Sequence, residues 1–520
     1  MAIIPLPGID YATAFDLRSQ KWILARSGSR IEPTGLRELF IRAHELTDID
    51  SPAVPAASAL WRILTVIAAR VAGLDDMTLS PDEWHTRRTD LLTAQSGFGE
   101  DRVAAYFDRY GERFDLFHPE RPFLQDPRLA EECGKSSGIN KLVLSRPAGN
   151  NQPWFSHHSD LKTVPIPARE AVWHLLAQLF YGPSGRCTSR TVNGTSEANS
   201  TAGPLRSVIS FHPLGRTIFE SLIAGIPYPG ALPKGDDLAP WERDSLLDPL
   251  ALPPTPAGLA GALIGRTRHA VLLKRSGEDV SDAWITWAWR KPTSPAKDPY
   301  LVYQYSKTGS LYAKPADATR AIWRDVDALL LKNLGDQKSQ LPMVFEDAVE
   351  LPFDVLDNLR VRAFGFDQDG QTRDRQWFTA ITPPVLSLLK DMAGARGLSR
   401  TREAAERAAR HLRGALRNAW VAINDPSDGN GLPARKDIPA GPWLERGAAR
   451  YWSQAEQIFW RKVFERDFDD PGLEFVQLAL RAYDAVTSDA GNSPRLVRAV
   501  ERARGYIFAA RKPMATKEGS

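Results

Sequence analysis

From about residue 376 onward the chain carries one dominant constraint: apolar side chains recur at helical spacing in four successive segments. In "LSRTREAAERAARHLRGALRNAW" the apolar stripe is Ala405, Ala408, Ala409, Leu412, Leu416 and Ala419. Ser399 is the expected N-cap, and Glu403 and Glu406 fall early, where the helix dipole favours acids. "GPWLERGAARYWSQAEQIFWRKVFERD" offers Leu444, Ala448, Tyr451, Trp452, Ala455, Phe459 and Val463. "GLEFVQLALRAYDAVT" is a shorter helix, and the last starts with Ser493 as N-cap and Pro494 at the first helical position. Helices with one apolar stripe each hide it by packing together, so 376–520 reads as a four-helix bundle.

Two faces of that bundle are basic. Arg402, Arg410, Arg413 and Arg417 lie opposite the apolar stripe of the first helix; Arg495, Arg498, Arg502, Arg504, Arg511 and Lys512 crowd the last. The whole chain is nearly neutral, with 66 basic against 63 acidic residues, so these are local features. An arginine-rich helix face is most often a solvated surface. Two in one bundle also suit phosphate contact, which positions nucleic acid without reading its sequence. Arg402, Arg410, Arg413, Arg417, Arg498 and Arg502 are the candidate backbone contacts.

Residues 1–375 read as a large mixed α+β domain with antiparallel sheet pieces and helices. Phe15–Ala25 alternates around Trp22 and Ile23 and ends in "RSGSR", a turn signal. Leu60, Ile63, Leu64, Ile67 and Val71 form one face of a helix; the apolar window around them contains Arg62 and Arg70 and is short for a bilayer span. "HAVLLK", "AWITWAWR" and "PYLVYQYSK" read as antiparallel strands. Two polar stretches interrupt this order. Residues 134–167 read as a long loop around a short strand, Lys141–Leu144, and 182–207 as a second, glycine-bearing loop. Just before the bundle, "RVRAFGFDQDGQTRDRQW" breaks an apolar run into a polar loop over Asp367–Asp374.

Several chemistries find no motif. There is no GxxxxGK[ST] loop, no GxSxG elbow and no HExxH. Two cysteines, Cys133 and Cys187, exclude Cys₄ and Cys₃His zinc sites and fit a cytoplasmic chain with reduced thiols. The N-terminus lacks a signal-peptide pattern, and no membrane role follows. One His/Asp cluster, "FSHHSD", leaves a metal-dependent nucleic-acid hydrolase using His157, His158 and Asp160 as the alternative function. A purely structural scaffold is a third reading.

Three segments carry a resemblance: "FDLRSQKWI", "FDLFHPERPFLQ" with its His-x-x-x-Pro-Phe-x-Gln pattern, and "LERGAARYWSQAEQIFW". With their order, the chain length and the terminal bundle, the chain resembles the CasA family, the large subunit of the type I-E CRISPR surveillance complex Cascade. The resemblance implies a non-catalytic subunit without cofactor. It would read the protospacer-adjacent motif in duplex DNA, aid strand separation and R-loop formation, and help recruit a helicase–nuclease. Its partners would be the other Cascade subunits, the 5′ handle of the guide RNA and double-stranded target DNA.

The family's three motif-reading devices carry over by position. The glycine loop falls on Asn193, Gly194 and Thr195. The basic finger falls on Lys274 and Arg275, with Lys291 as fallback, and without the cysteine-rich zinc site of some relatives. The strand-separating wedge falls on Gln368, Asp369, Gly370 and Gln371, where Asp369 departs from the family's amides. The family's docking loop for the guide handle corresponds to 134–167, with Leu142, Val143 and Leu144 at the anchor position.

Overall fold

The computed structural model describes residues 14–148, 156–292, 296–330, 339–370, 373–424, 441–491 and 493–511. The chain divides into two compact units: Met1–Ile322 with Lys332–Ser387, and Trp323–Leu331 with Leu388–Ser520. A boundary at 375 would cut through the strand Arg373–Ile381, which belongs to the first unit.

In the first unit the expected turn at "RSGSR" joins the strands Ile23–Ser27 and Arg30–Thr34, and Asp48–Asp50 pairs on the other side of the first. Every strand pairing in this unit is antiparallel among the described residues. The sheets are small, of two or three strands each. The helix Val54–Ala72 packs against other helices and against the sheet that holds Arg360–Asp369, and every residue in it but Val54 and Arg70 is buried. The sequence gives that helix one apolar face; the fold covers it on all sides, as suits a core helix of small and aliphatic residues.

Arg62 sits inside this helix with no exposed surface. Its guanidinium donates to Ser58 Oγ at 2.7 Å and pairs with Asp298 at 3.3 Å. A buried cation persists only when so compensated. His212 Nε2 lies 3.2 Å from Arg62, and burial together with that positive neighbour holds His212 well below the ordinary imidazole range, so it stays neutral. Arg266 closes the network on Asp298 at 2.5 Å.

The second unit contains the four expected helices, Met392–Asn424, Trp443–Glu465, Leu473–Thr487 and Pro494–Arg504. The first begins at Met392, so Ser399 lies within it and is buried rather than capping it. In the second helix the buried stripe runs Trp443, Gly447, Tyr451, Ala455, Phe459 and Val463, while Ala448 is exposed and Leu444 only half-buried. Gly447 replaces the expected Ala448 because Leu416 fills its place: a Cβ on Gly447 would stand 2.3 Å from Leu416 Cδ1. Ser493 accepts from the Leu496 amide, the N-cap expected of it. One packing element is not a bundle helix at all. Trp323 lies 4.6 Å from the Phe459 ring, and Arg324 stacks 3.7 Å over Trp452 while pairing with Glu406 at 2.7 Å.

Candidate nucleic-acid interface

The break in "RVRAFGFDQDGQTRDRQW" is the end of a long β-hairpin. Strand Arg360–Asp369 pairs with Arg373–Ile381 on one side and Ile209–Leu214 on the other. Residues 361–367 are buried, whereas the outer strand is exposed along most of its length. Gly365 is there for its missing side chain: a Cβ would meet the Phe378 ring at 2.3 Å. The expected loop over 367–374 is shorter than that, because the strand continues through Asp369. Asp367 is buried and accepts from the Ala318 amide at 2.9 Å.

A register shift between Asp367 and Gln368 interrupts the ladder before its last two pairs, Gln368 with Asp374 and Asp369 with Arg373. Gly370 follows at φ +65°, in the left-handed region that glycine enters at no steric cost. Asp369, where a neutral amide was expected, pairs with Arg375 at 3.3 Å, both half-exposed. Gln368 Nε2 donates to Asp374 Oδ1 at 3.1 Å. Arg206 donates to the same carboxylate and to the Tyr181 carbonyl, with its guanidinium 4.8 Å over the Phe366 ring. Arg206 is thus the strut of the hairpin, and nothing in "GPLRS" marks it. Gln371 lies outside the described residues.

The glycine-bearing stretch 182–207 is not a loop but another hairpin, Gly185–Val192 with Thr195–Ser200. Asn193 and Gly194 form its two-residue turn, both at positive φ (+47° and +80°), with Thr195 starting the return strand. Asn-Gly between alternating strands is the strongest short-range hairpin signal, and it was present in "TVNGTSE". The hairpin is fastened to a neighbour. Arg190 is fully buried, donates to Glu132 at 2.6 Å, Asp126 at 2.8 Å and the Trp287 carbonyl at 3.2 Å, and stacks on the Trp287 ring. Burial pushes Asp126 up, but hydrogen bonds and charge from Arg128 and Arg190 outweigh it and hold the carboxyl below its ordinary range.

That neighbour is the hairpin His269–Ser276 with Asp279–Trp287, which carries the basic-finger candidates. Lys274 is exposed beside a register shift. Arg275 is held down: its Nε donates to the Gly277 carbonyl at 2.6 Å and its guanidinium covers Phe117. Lys291 is exposed beyond the hairpin. The His-x-x-x-Pro-Phe-x-Gln segment supports this region from below. Gln125 accepts from the Leu273 amide at 2.8 Å and donates to the Leu116 carbonyl at 2.7 Å; Phe123 stacks on Phe114 and Trp241.

Two candidate groups fail. Lys141–Leu144 is not a strand: Ile139–Leu142 is a short helix, with Leu142 and Val143 buried and Leu144 half-buried. Gln178 Nε2 binds the Lys141 carbonyl at 2.8 Å and fixes the turn over the helix Ala168–Tyr181. Leu142 and Val143 are core, so they cannot anchor a guide handle. The His157/His158/Asp160 cluster does not form a metal cage: Asn140 donates to Asp160 at 2.9 Å, and no group of His, Cys, Asp and Glu suited to a metal occurs among the described residues.

In the bundle, Arg410, Arg413, Arg498 and Arg502 are exposed, while Arg402 and Arg417 are half-buried. Arg498 Nε donates to the Pro494 carbonyl at 3.1 Å.

The family model described as CRISPR-associated protein Cse1 matches residues 16–487. A CRISPR-associated protein CasA/Cse1 of Thermus thermophilus is 27% identical over 334 residues, 62% of this chain and 61% of that relative, so the match spans less than two thirds of its length. A chain from a structure described as a CRISPR RNA-guided surveillance complex is 49% identical, with TM-score 0.86, covering 95% of this chain and 99% of that one. A chain of such a complex in a pre-nicking state is 48% identical with TM-score 0.77, covering 96% and 99%. Thermus thermophilus CasA, at 21% identity and TM-score 0.72, covers 96% and 99% and shares the fold.

Proposed function

The chain belongs to the CRISPR-associated protein Cse1 family, also called CasA, and from that premise we propose that it is the non-catalytic large subunit of a cytoplasmic, RNA-guided DNA surveillance complex. It assembles with the other subunits and the guide RNA, reads the short motif beside the target in duplex DNA, starts strand separation and helps recruit the helicase–nuclease. No metal-suited group of His, Cys, Asp and Glu among the described residues supports the hydrolase reading, and Asp160 accepts a hydrogen bond from Asn140.

The 360–381 hairpin is the observation that carries this reading. Its root is buried and paired on both sides, and its tip, beyond a register shift, is paired with its own return strand. A rigid stem with a polar tip can be driven between base pairs without the stem yielding; the unstacking costs about a few kcal/mol and is offset by contacts to the separated strands. Asp369 is tolerable beside phosphate because Arg375 shares its charge. Asn193-Gly194 is a further tip, and Lys274 stands exposed on a strand of the hairpin fastened to it in the same unit. A backbone tip and a single lysine suit the minor groove, whose pattern separates mainly A·T from G·C, so a permissive motif is expected. The exposed arginines of the bundle contact phosphates of the opened DNA.

The decisive experiment is duplex binding by the assembled complex, with and without this subunit, across a randomised motif library. Motif-dependent binding that needs the subunit supports the reading. Motif preference unchanged by its omission would leave the scaffold reading in its place.

A further inference from the structure

Within the bundle, the last turn Gly505–Arg511 lies along the first helix, and Tyr506 packs on it in an unusual way. Its ring covers Gly414, where a Cβ would stand 2.7 Å from Tyr506 Cε1. It lies 5.1 Å from the His411 ring at an interplanar angle of 31°. His411 is itself fixed, Nδ1 donating to the Arg407 carbonyl at 3.0 Å, and Arg407 Nε donates to the Ala510 carbonyl at 3.0 Å. One side of the tyrosine is therefore braced by a glycine and an imidazole, while 48% of the residue remains exposed.

Arginines are rooted near this ring. Arg410 lies on the first helix one turn before Gly414, the residue the ring covers, and Arg502 lies in the last turn of the helix Pro494–Arg504, just before the turn that holds Tyr506. Arg410, Arg413 and Arg502 are exposed, and among the described residues none of the three has a carboxylate at ion-pair distance. Their charges are available to an anion. A solvated basic face needs no braced aromatic at its centre, and an apolar protein partner would not match three unpaired cations. A flexible polyanion with exposed planar bases matches both features: phosphates meet the guanidiniums and a base stacks on the ring.

We propose that Tyr506, braced by His411 and Gly414 and flanked by Arg410 and Arg502, is a base-stacking platform for single-stranded DNA. The inference rests on the reading of the bundle as a DNA-contacting surface and adds discrimination to it. Duplex DNA keeps its bases paired and meets only the arginines; an opened strand meets the tyrosine as well.

The test is equilibrium binding of the full chain to three probes: a 20-nucleotide dT oligomer, an abasic oligomer of the same length, and a 20-bp duplex. Tyr506→Ala is expected to weaken dT binding by about tenfold, the scale of one lost stacking contact, with abasic and duplex binding unchanged. Tyr506→Phe is expected to keep wild-type dT binding, which also reports that the bundle remains folded. Paired Arg410→Ala and Arg413→Ala substitutions should weaken all three probes and flatten the salt slope by about two. If the arginine variant weakens binding but Tyr506→Ala does not, or weakens the abasic oligomer equally, the platform is refuted and the DNA-contacting bundle stands. If neither variant changes any probe, both fall.

Discussion

The 185–200 and 360–381 hairpins both end in a tip that needs a positive φ and both hold a buried arginine, yet the arginine sits near the tip of one and at the root of the other. The first is stapled close to its turn by Arg190, which reaches Asp126, Glu132 and the Trp287 carbonyl. The second carries its buried cation at the root: Arg362, two residues into the strand, binds both oxygens of Asp48, and the ties near the tip, at Arg206 and Asp374, involve an exposed carboxylate. A strand pinned by a charge network close to its turn is fixed as one piece. A strand gripped at the root, by packing and by the Arg362–Asp48 pair, concentrates its rigidity there and leaves its end to meet a ligand. The contrast separates residues whose loss unfolds a region from residues whose loss weakens binding.

The largest expected effect is on the staple. Arg190→Ala leaves Glu132 half-buried without its cation and Asp126 with Arg128 alone, and should lower stability by about 3 kcal/mol in denaturant unfolding of the full chain. A loss under about 1 kcal/mol would break the contrast. The same staple predicts an acid response. Asp126 has a depressed folded-state pKa, so its contribution is complete above the ordinary carboxylate pKa and is lost as pH falls through the lower folded value. Thermal melting followed from pH 6 down to pH 2 should show a loss at the acid end that is reduced in Asp126→Asn.

At the other hairpin the effects should move from stability to binding. Replacing Gln368 and Gln371 with alanine should weaken motif-bearing duplex binding by the assembled complex about tenfold, at one net hydrogen bond or so lost, while melting and assembly stay as in the wild type. Unchanged binding would remove the wedge assignment. The smallest effect is expected at Asp369. Its half-exposed pair with Arg375 is worth no more than about 1 kcal/mol, so Asp369→Asn should barely shift the melting temperature and should raise duplex affinity slightly by removing a negative charge. A marked fall in affinity would mean that the aspartate itself reads the DNA.

Some of this was legible in the chain. The four bundle helices follow from a 3.6-residue period that each segment carries internally, and Ser493-Pro494 marks a helix start by local chemistry alone. The Asn193-Gly194 turn was equally local and was obscured by the polar residues around it. The strand proposed as the wedge was visible as an apolar run, and its tip as amides beside a glycine.

Other features had no local cause. Ser399 looks like an N-cap, but the helix starts seven residues earlier. Leu142 and Val143 look like an anchor for a partner, but the helix Ala168–Tyr181 lies over them. Arg190 and Arg206 read as ordinary basic residues until strands distant in sequence bring acids and carbonyls to them. Tyr506 reads as one more apolar position until Gly414, 92 residues away, proves to be the surface beneath it. The sequence by itself determined where helices and turns form, because period, capping and backbone preference act over a few residues. Only the tertiary structure decided which polar groups are buried and paired and which are presented, because that depends on what another part of the chain places against them.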